Sequence, residues 1–215
     1  MDKLPFDPYD FFGYLASGLL LIVGMNLVLG FPNVLGQDLK LVNGFALILG
    51  IYVAGQILAT PSKTLLEDFV VGRLLRKPSE NLIHGKAGQV RQLLFPGFYK
   101  ALPPQAILRI AQKAGKLSGE DLFHHVRFSE EVCANDKLVG KIDSFRNKYG
   151  FARNLCFASL LVGLALIIKA VFHPGPSLVE YGITSLVASL FLFYRYLKFF
   201  RQYSYEMLSV YAGKG

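Results

Sequence analysis

FFGYLASGLLLIVGMNLVLGF, Phe11 to Phe31, contains no charged side chain. A bilayer core asks for about 20 consecutive apolar residues in a helix, so this stretch is long enough to cross a membrane. It is also longer than the apolar core of a signal peptide, and the residues ahead of it, Met1 to Asp10, hold three aspartates against one lysine. The segment is therefore expected to stay in the protein as an anchor.

Three more blocks follow the same rule. Leu41 to Ala59 is uncharged but carries Asn43 and Gln56, Leu155 to Phe172 holds Lys169 near its end, and Leu178 to Phe200 has Glu180 at its start with Arg195 and Lys198 near its end. Terminal lysines and arginines reach the interface with their heads while their stems stay apolar. Composition agrees: 53% of residues are hydrophobic and 18% charged, against about a quarter charged in soluble domains. Pro32 to Lys40 and His173 to Ser177 are short links, and a short link makes neighbouring helices antiparallel. The expected fold is all-α: a polytopic membrane protein with four transmembrane helices in two hairpins and a helical cytoplasmic segment. Residues 1–60 form the first hairpin, 61–152 the basic segment, and 153–215 the second hairpin with a short cytoplasmic tail.

Orientation follows the basic residues. Lys63, Arg73, Arg76 and Lys77 come after the second block, and Lys137, Lys141, Arg146, Lys148 and Arg153 come before the third. Arg195, Lys198, Arg201 and Lys214 end the chain, while the two hairpin links hold only Lys40. Basic residues mark the cytoplasmic side, so both termini and the central segment are expected there. From Pro61 to Arg153 there are 16 basic and 9 acidic residues, a surplus of +7 out of the net +8. Topology thus accounts for the charge, and nucleic acid is not the expected partner.

The central segment reads as helical. Thr64 with Glu67 has the spacing of a capping box, with apolar residues at helical spacing behind it and an end near Lys77, where Pro78 disfavours continuation. Pro104 opens a short helix through Lys113, and Ser118 with Asp121 begins another. From Ser129, an N-cap residue followed by Glu130 and Glu131, the periodicity continues without proline to Phe172. One helix from stalk to membrane is predicted there, about 65 Å long at 1.5 Å per residue, with Gly140 and Gly150 as its bending points.

Catalytic patterns are missing. There is no GxSxG, no HExxH and no phosphate-loop lysine motif, and GKAGQ at Gly85 to Gln89 lacks the spacing of a nucleotide fingerprint. His124 and His125 point to different helix faces, so with Cys133 they make a poor metal site. No cofactor, metal or catalytic residue is expected, and Cys133 and Cys156 read as free thiols. The polar residues within the spans carry more: Asn26, Asn43, Gln56, Lys169 and Glu180 should face other helices or a path through the membrane, and Lys169 and Glu180 lie near the same turn. Arg73, Arg76, Lys77, Lys148 and Arg153 are the candidates for contact with anionic lipid or an anionic ligand, with topology alone as the simpler explanation. Small residues four apart (Gly13 and Ser17, Gly50 and Ala54, Gly55 and Ala59, Ser159 and Gly163, Ser185 and Ser189) allow close helix approach, within or between chains.

Two stretches, GQILATPSKTLLEDFVVGRLLRKPSENL (Gly55 to Leu82) and RNKYGFARNLCFASL (Arg146 to Leu160), join the entry DPYDFFGYL (Asp7 to Leu15) in a likeness. Over about a quarter of its length the chain resembles a loose group of small four-span bacterial inner-membrane proteins, some of which lie beside phage-defence genes. The resemblance implies a bacterial membrane protein that senses or executes a stress response, and it transfers no active-site residue. The expected function is non-enzymatic: a homo-oligomer in the lipid bilayer whose cytoplasmic segment senses a protein partner or anionic ligand, with pore formation or membrane perturbation as output. A small transporter or constitutive channel is the second expectation, and a membrane scaffold or assembly factor the third.

Overall fold

The computed structural model describes residues 8–30, 41–85, 88–134 and 136–213. The Pro32–Lys40 link, most of the segment before the first block, Lys86 of the GKAGQ stretch and Lys214 fall outside them. Among the described residues every regular element is helical. In chain order these are α1 Pro8–Leu29, α2 Leu41–Ser62 with a π-helical continuation Lys63–Leu75, α3 Pro78–His84, α4 Gln89–Leu94, α5 Pro104–Ala114, α6 Gly119–Arg127, α7 Glu130–Cys133, α8 Asp136–Phe172 and α9 Pro176–Tyr211. Four helical stretches are long and apolar enough to cross a membrane: Phe11–Leu29, Asn43–His84, Asp136–Phe172 and Pro176–Tyr211.

The chain divides into two compact units. Unit one comprises Met1–Glu67 and Gly150–Tyr196. In it the small residues set which helices touch and in which direction. Gly18 lies against the backbone of Ile51 and Gly55, and Gly55 against Tyr14, so α1 and α2 run antiparallel. Gly13 meets Phe151 and Gly24 meets Val162, so α1 and α8 run parallel. The Ser185 hydroxyl donates to the Ser159 carbonyl at 2.8 Å, the Ser189 hydroxyl to the Cys156 carbonyl at 2.9 Å, and Gly163 lies against Gly182 and Leu186. These contacts run α8 and α9 antiparallel. Hydroxyls bonding across to a neighbouring backbone are what hold helices together where lipid tails give them no hydrophobic reason to associate. Large apolar side chains such as Phe45, Ile57, Val171 and Phe191 point outward from this unit, as a lipid-facing surface requires.

Unit two comprises Asp68–Tyr149 and Leu197–Gly215. Its core gathers Leu82, Phe98, Leu102, Ile110, Leu122 and Val126 from the central segment around Tyr203, Met207, Leu208 and Tyr211 from the end of α9. The residues after Phe200, expected to form a short tail, are thus a core element of this unit. Tyr149 stacks on the Phe200 ring at 4.7 Å between centroids, Phe123 meets Tyr203 edge-on at 5.9 Å, and Lys141 pairs with Glu206 at 2.9 Å.

Three helix boundaries differ from the sequence reading. The Thr64–Glu67 capping box is not used: α2 continues into the π-helical stretch, the Thr64 hydroxyl donates back to the Thr60 carbonyl at 3.3 Å, and Glu67 is committed to Arg153. That stretch stops at Leu75 instead of near Lys77 because Arg76 turns left-handed, at φ +65°. Its loose carbonyls are met by side chains. Asn81 Nδ2 donates to Leu75 O at 3.3 Å and to Arg76 O at 3.2 Å, and the Tyr99 hydroxyl donates to Leu75 O at 3.1 Å. The helix predicted from Ser129 begins at Asp136, with Glu130–Cys133 a separate turn ahead of it in which the Ser129 hydroxyl bonds back to Val126 O. From Asp136 it passes through Gly140 and Gly150 unbroken to Phe172.

Candidate functional site

A buried polar cluster in unit one joins the end of α2 to the part of α8 that follows Gly150. Ser62 sits one residue beyond Pro61, fully buried, and its hydroxyl donates to Asn154 Oδ1 at 2.6 Å, with Ala59 O as a second acceptor within reach at 2.9 Å. Glu67, one turn into the π-helical stretch, receives the Arg153 guanidinium. The two side chains are only 16% and 12% exposed. Arg153 Nε and Nη2 also lie 3.4 and 3.3 Å from Asn154 Oδ1, so one amide oxygen collects the hydroxyl and the guanidinium. The π-helical geometry matters here. It adds a residue per turn relative to an α-helix, which changes the face on which Glu67 emerges, and such insertions are concentrated at functional positions.

The predicted residues scatter around this centre. Arg153, read as a lipid or ligand contact, is committed to Glu67. Lys77 pairs with Glu120 at 2.6 Å, and this bond holds the Glu120 carboxyl below the usual carboxylate range. Arg73 lies over the Phe69 ring at 5.9 Å and Lys148 over Phe145 at 5.3 Å, while Arg76 is exposed. Within the spans, Lys169 Nζ donates to the Leu27 carbonyl at 2.8 Å, near the C-terminal end of α1. Glu180 is exposed, so the structure does not bring these two together. Gln56 Nε2 donates to the Tyr52 hydroxyl at 2.9 Å, Asn43 is exposed, and Asn26 is half-buried with its Oδ1 unbonded among the described residues.

Unit two carries a shallow cleft of about 660 Å³ beside the end of α9, lined by Lys113, His125, Phe128, Ser129, Glu131 and Tyr211. Lys113 Nζ bonds Glu131 at 3.0 Å and the Tyr211 carbonyl at 2.9 Å, and His125 Nε2 lies 3.1 Å from the Tyr211 hydroxyl. Among the described residues no three His, Cys, Asp or Glu side chains gather to hold a metal.

Sequence reasoning missed Ser62, Glu67 and Asn154 as partners of Arg153. The available signal was that Arg153 and Asn154 adjoin the third apolar block and that Ser62 and Glu67 follow the second.

The class these features define is a helical protein with four helices able to cross a membrane and a second, basic helical unit. No protein-family model matches the chain, and neither a curated protein nor a solved structure matches it.

Proposed function

We propose that this chain is a non-enzymatic, homo-oligomeric protein of the bacterial inner membrane, in which unit two senses a ligand or partner and passes its state to the spans. Its four helices form two hairpins, with both termini and unit two in the cytoplasm. The antiparallel α1–α2 and α8–α9 contacts support the hairpins, and the basic residues flanking the spans support the orientation. The bacterial setting rests on the resemblance carried by Gly55–Leu82 and Arg146–Leu160.

The observation that carries the reading is the Glu67–Arg153 pair. Glu67 is the last residue of unit one on one connection to unit two, and Arg153 lies just inside unit one on another. A largely buried pair resists the loss of either partner because the charge left behind is stranded. Two of the connections through which unit two reaches the spans are therefore held by one contact that is either whole or broken. The output is a change in span packing that opens a pore or perturbs the bilayer, built from several copies because four spans are few to line a path. The cleft beside Tyr211 supports small-ligand entry at the opposite end of the information flow.

Dye efflux from liposomes holding the full-length protein tests this. Without ligand the wild type should retain dye, Glu67→Gln and Arg153→Gln should each leak, and the swapped pair Glu67→Arg with Arg153→Glu should recover much of the retention. Equal leakage by wild type and variants would mean a constitutive channel. Retention by every variant would leave the scaffold role in its place.

A further inference from the structure

The helix α4 turns its apolar residues to the outside. Val90 is 71% and Leu93 81% exposed, one helical turn apart, and no residue of this helix is buried. Side chains of this kind on a soluble surface normally find a cover. What surrounds them is basic. From Asn81 to Gly119 the chain contains six lysines and arginines and no aspartate or glutamate. Arg91, between the two apolar residues, is exposed, and so is Arg76 at the end of the π-helical stretch. Neither forms an ion pair among the described residues, whereas Lys77, Lys113 and Lys141 all do. The Tyr99 hydroxyl bonds the carbonyl just before Arg76, and both Arg91 and Arg76 act on that phenol, opposing the rise that its burial causes. Arg76 also holds a left-handed conformation that side chains other than glycine seldom take, and such positions cluster where function demands them.

Exposed apolar residues beside two unpaired arginines, in a stretch of chain that holds no acid from Asn81 to Gly119, have the composition of an interfacial element that lies on an anionic lipid surface. The bilayer is also the surface always at hand, because three chain connections tie unit two to helices able to cross it, which keeps its effective concentration high. We infer that α4 docks on the anionic lipid surface of the membrane, with Val90 and Leu93 entering the headgroup region and Arg91 with Arg76 binding lipid phosphates. The inference rests on the membrane reading above and adds a second, lipid-dependent anchor to it.

The test uses full-length protein in nanodiscs at one chain per disc, in a Cys133→Ser background, where Cys156 stays buried. An environment-sensitive fluorophore is placed on Leu93→Cys, with Val90→Cys as a second site and Phe45→Cys, on the outer face of α2, as a span control. With phosphatidylglycerol present, the label at position 93 should shift to the blue and be quenched by lipid-borne spin labels. The quenching should fall at least threefold in pure phosphatidylcholine, and likewise in the Arg76→Gln, Arg91→Gln double variant. If position 93 is reached equally by a water-soluble quencher in both lipids, the inference is overturned. Shielding that appears only when several chains share a disc also overturns it, and assigns the face to a second copy. Failure of Phe45→Cys to be quenched by lipid would instead overturn the membrane reading itself.

Discussion

The backbones of Gly18 in α1 and Gly55 in α2 meet without side chains between them. A methyl group on Gly18 would stand 1.9 Å from the Ile51 carbonyl oxygen and one on Gly55 would stand 2.0 Å from the Tyr14 carbonyl oxygen. The atoms in the way are backbone, so they cannot swing aside. Gly18→Ala and Gly55→Ala should each destabilise the protein by about 1–3 kcal/mol, the usual range for overpacking. Gly50→Ala, which meets nothing within 4 Å, should be neutral or better in a helix. Unfolding in mixed micelles compares them, and equal behaviour of all three would mean that α1 and α2 do not cross here.

Ser62 and Asn154 share a bond but not a fate. Without its hydroxyl, Ser62→Ala leaves Asn154 Oδ1 with the Arg153 guanidinium, so the loss should stay near 0.5–1 kcal/mol. Asn154→Ala strips an acceptor from both the hydroxyl and the guanidinium inside a buried cluster and should cost about 2–3 kcal/mol. The ordering of the two, from the same unfolding measurement, is the check.

At the end of the π-helical stretch, Tyr99→Phe removes the donor that meets Leu75 O and should cost about 1 kcal/mol. Burial pushes the Tyr99 phenol up from its ordinary value near 10. The folded value is higher than the unfolded one, so its contribution is complete below about pH 10 and is lost as pH rises through the folded value. The difference between wild-type and Tyr99→Phe absorbance titrations near 295 nm should therefore show a midpoint above 10. A midpoint at or below 10 would mean an open phenol.

Lys169 and Glu180 make a paired test of the other end of unit one. Lys169→Met keeps the stem but loses the bond to Leu27 O, and with it a cation at the negative end of α1, so about 1–2 kcal/mol should go. Glu180→Gln, at an exposed site, should change stability by less than about 0.5 kcal/mol. The double variant should equal the sum. A coupling above about 0.5 kcal/mol would show that the two residues pair after all.

The apolar blocks could be read directly because lipid tolerates so few charges that length and polarity decide the matter. The long helix α8 was legible from Asp136 onward, since nothing in its sequence breaks it. Its expected first turns were not, because Ser129 and its glutamates are equally good at opening a four-residue turn. The role of the end of α9 was hidden for a different reason. Tyr203, Met207 and Tyr211 amid Arg201 and Glu206 have the pattern of an interfacial belt, and only the fold reveals that these rings are core. Pairings such as Glu67 with Arg153, 86 residues apart, leave no trace in local pattern. A basic residue beside a span looks the same whether it meets lipid or a carboxylate.

Because Leu197–Gly215 supplies core side chains to unit two, that unit cannot close until the ribosome has made the end of α9. Asp68–Tyr149 must wait with its apolar residues uncovered, for on the order of ten seconds at ordinary synthesis rates. Synthesis of α9 therefore comes first and completion of unit two second. A chain cut short ahead of Leu197 would keep every residue of unit one yet leave unit two without Tyr203, Met207, Leu208 and Tyr211, and cells would have to recognise it by that unfinished half.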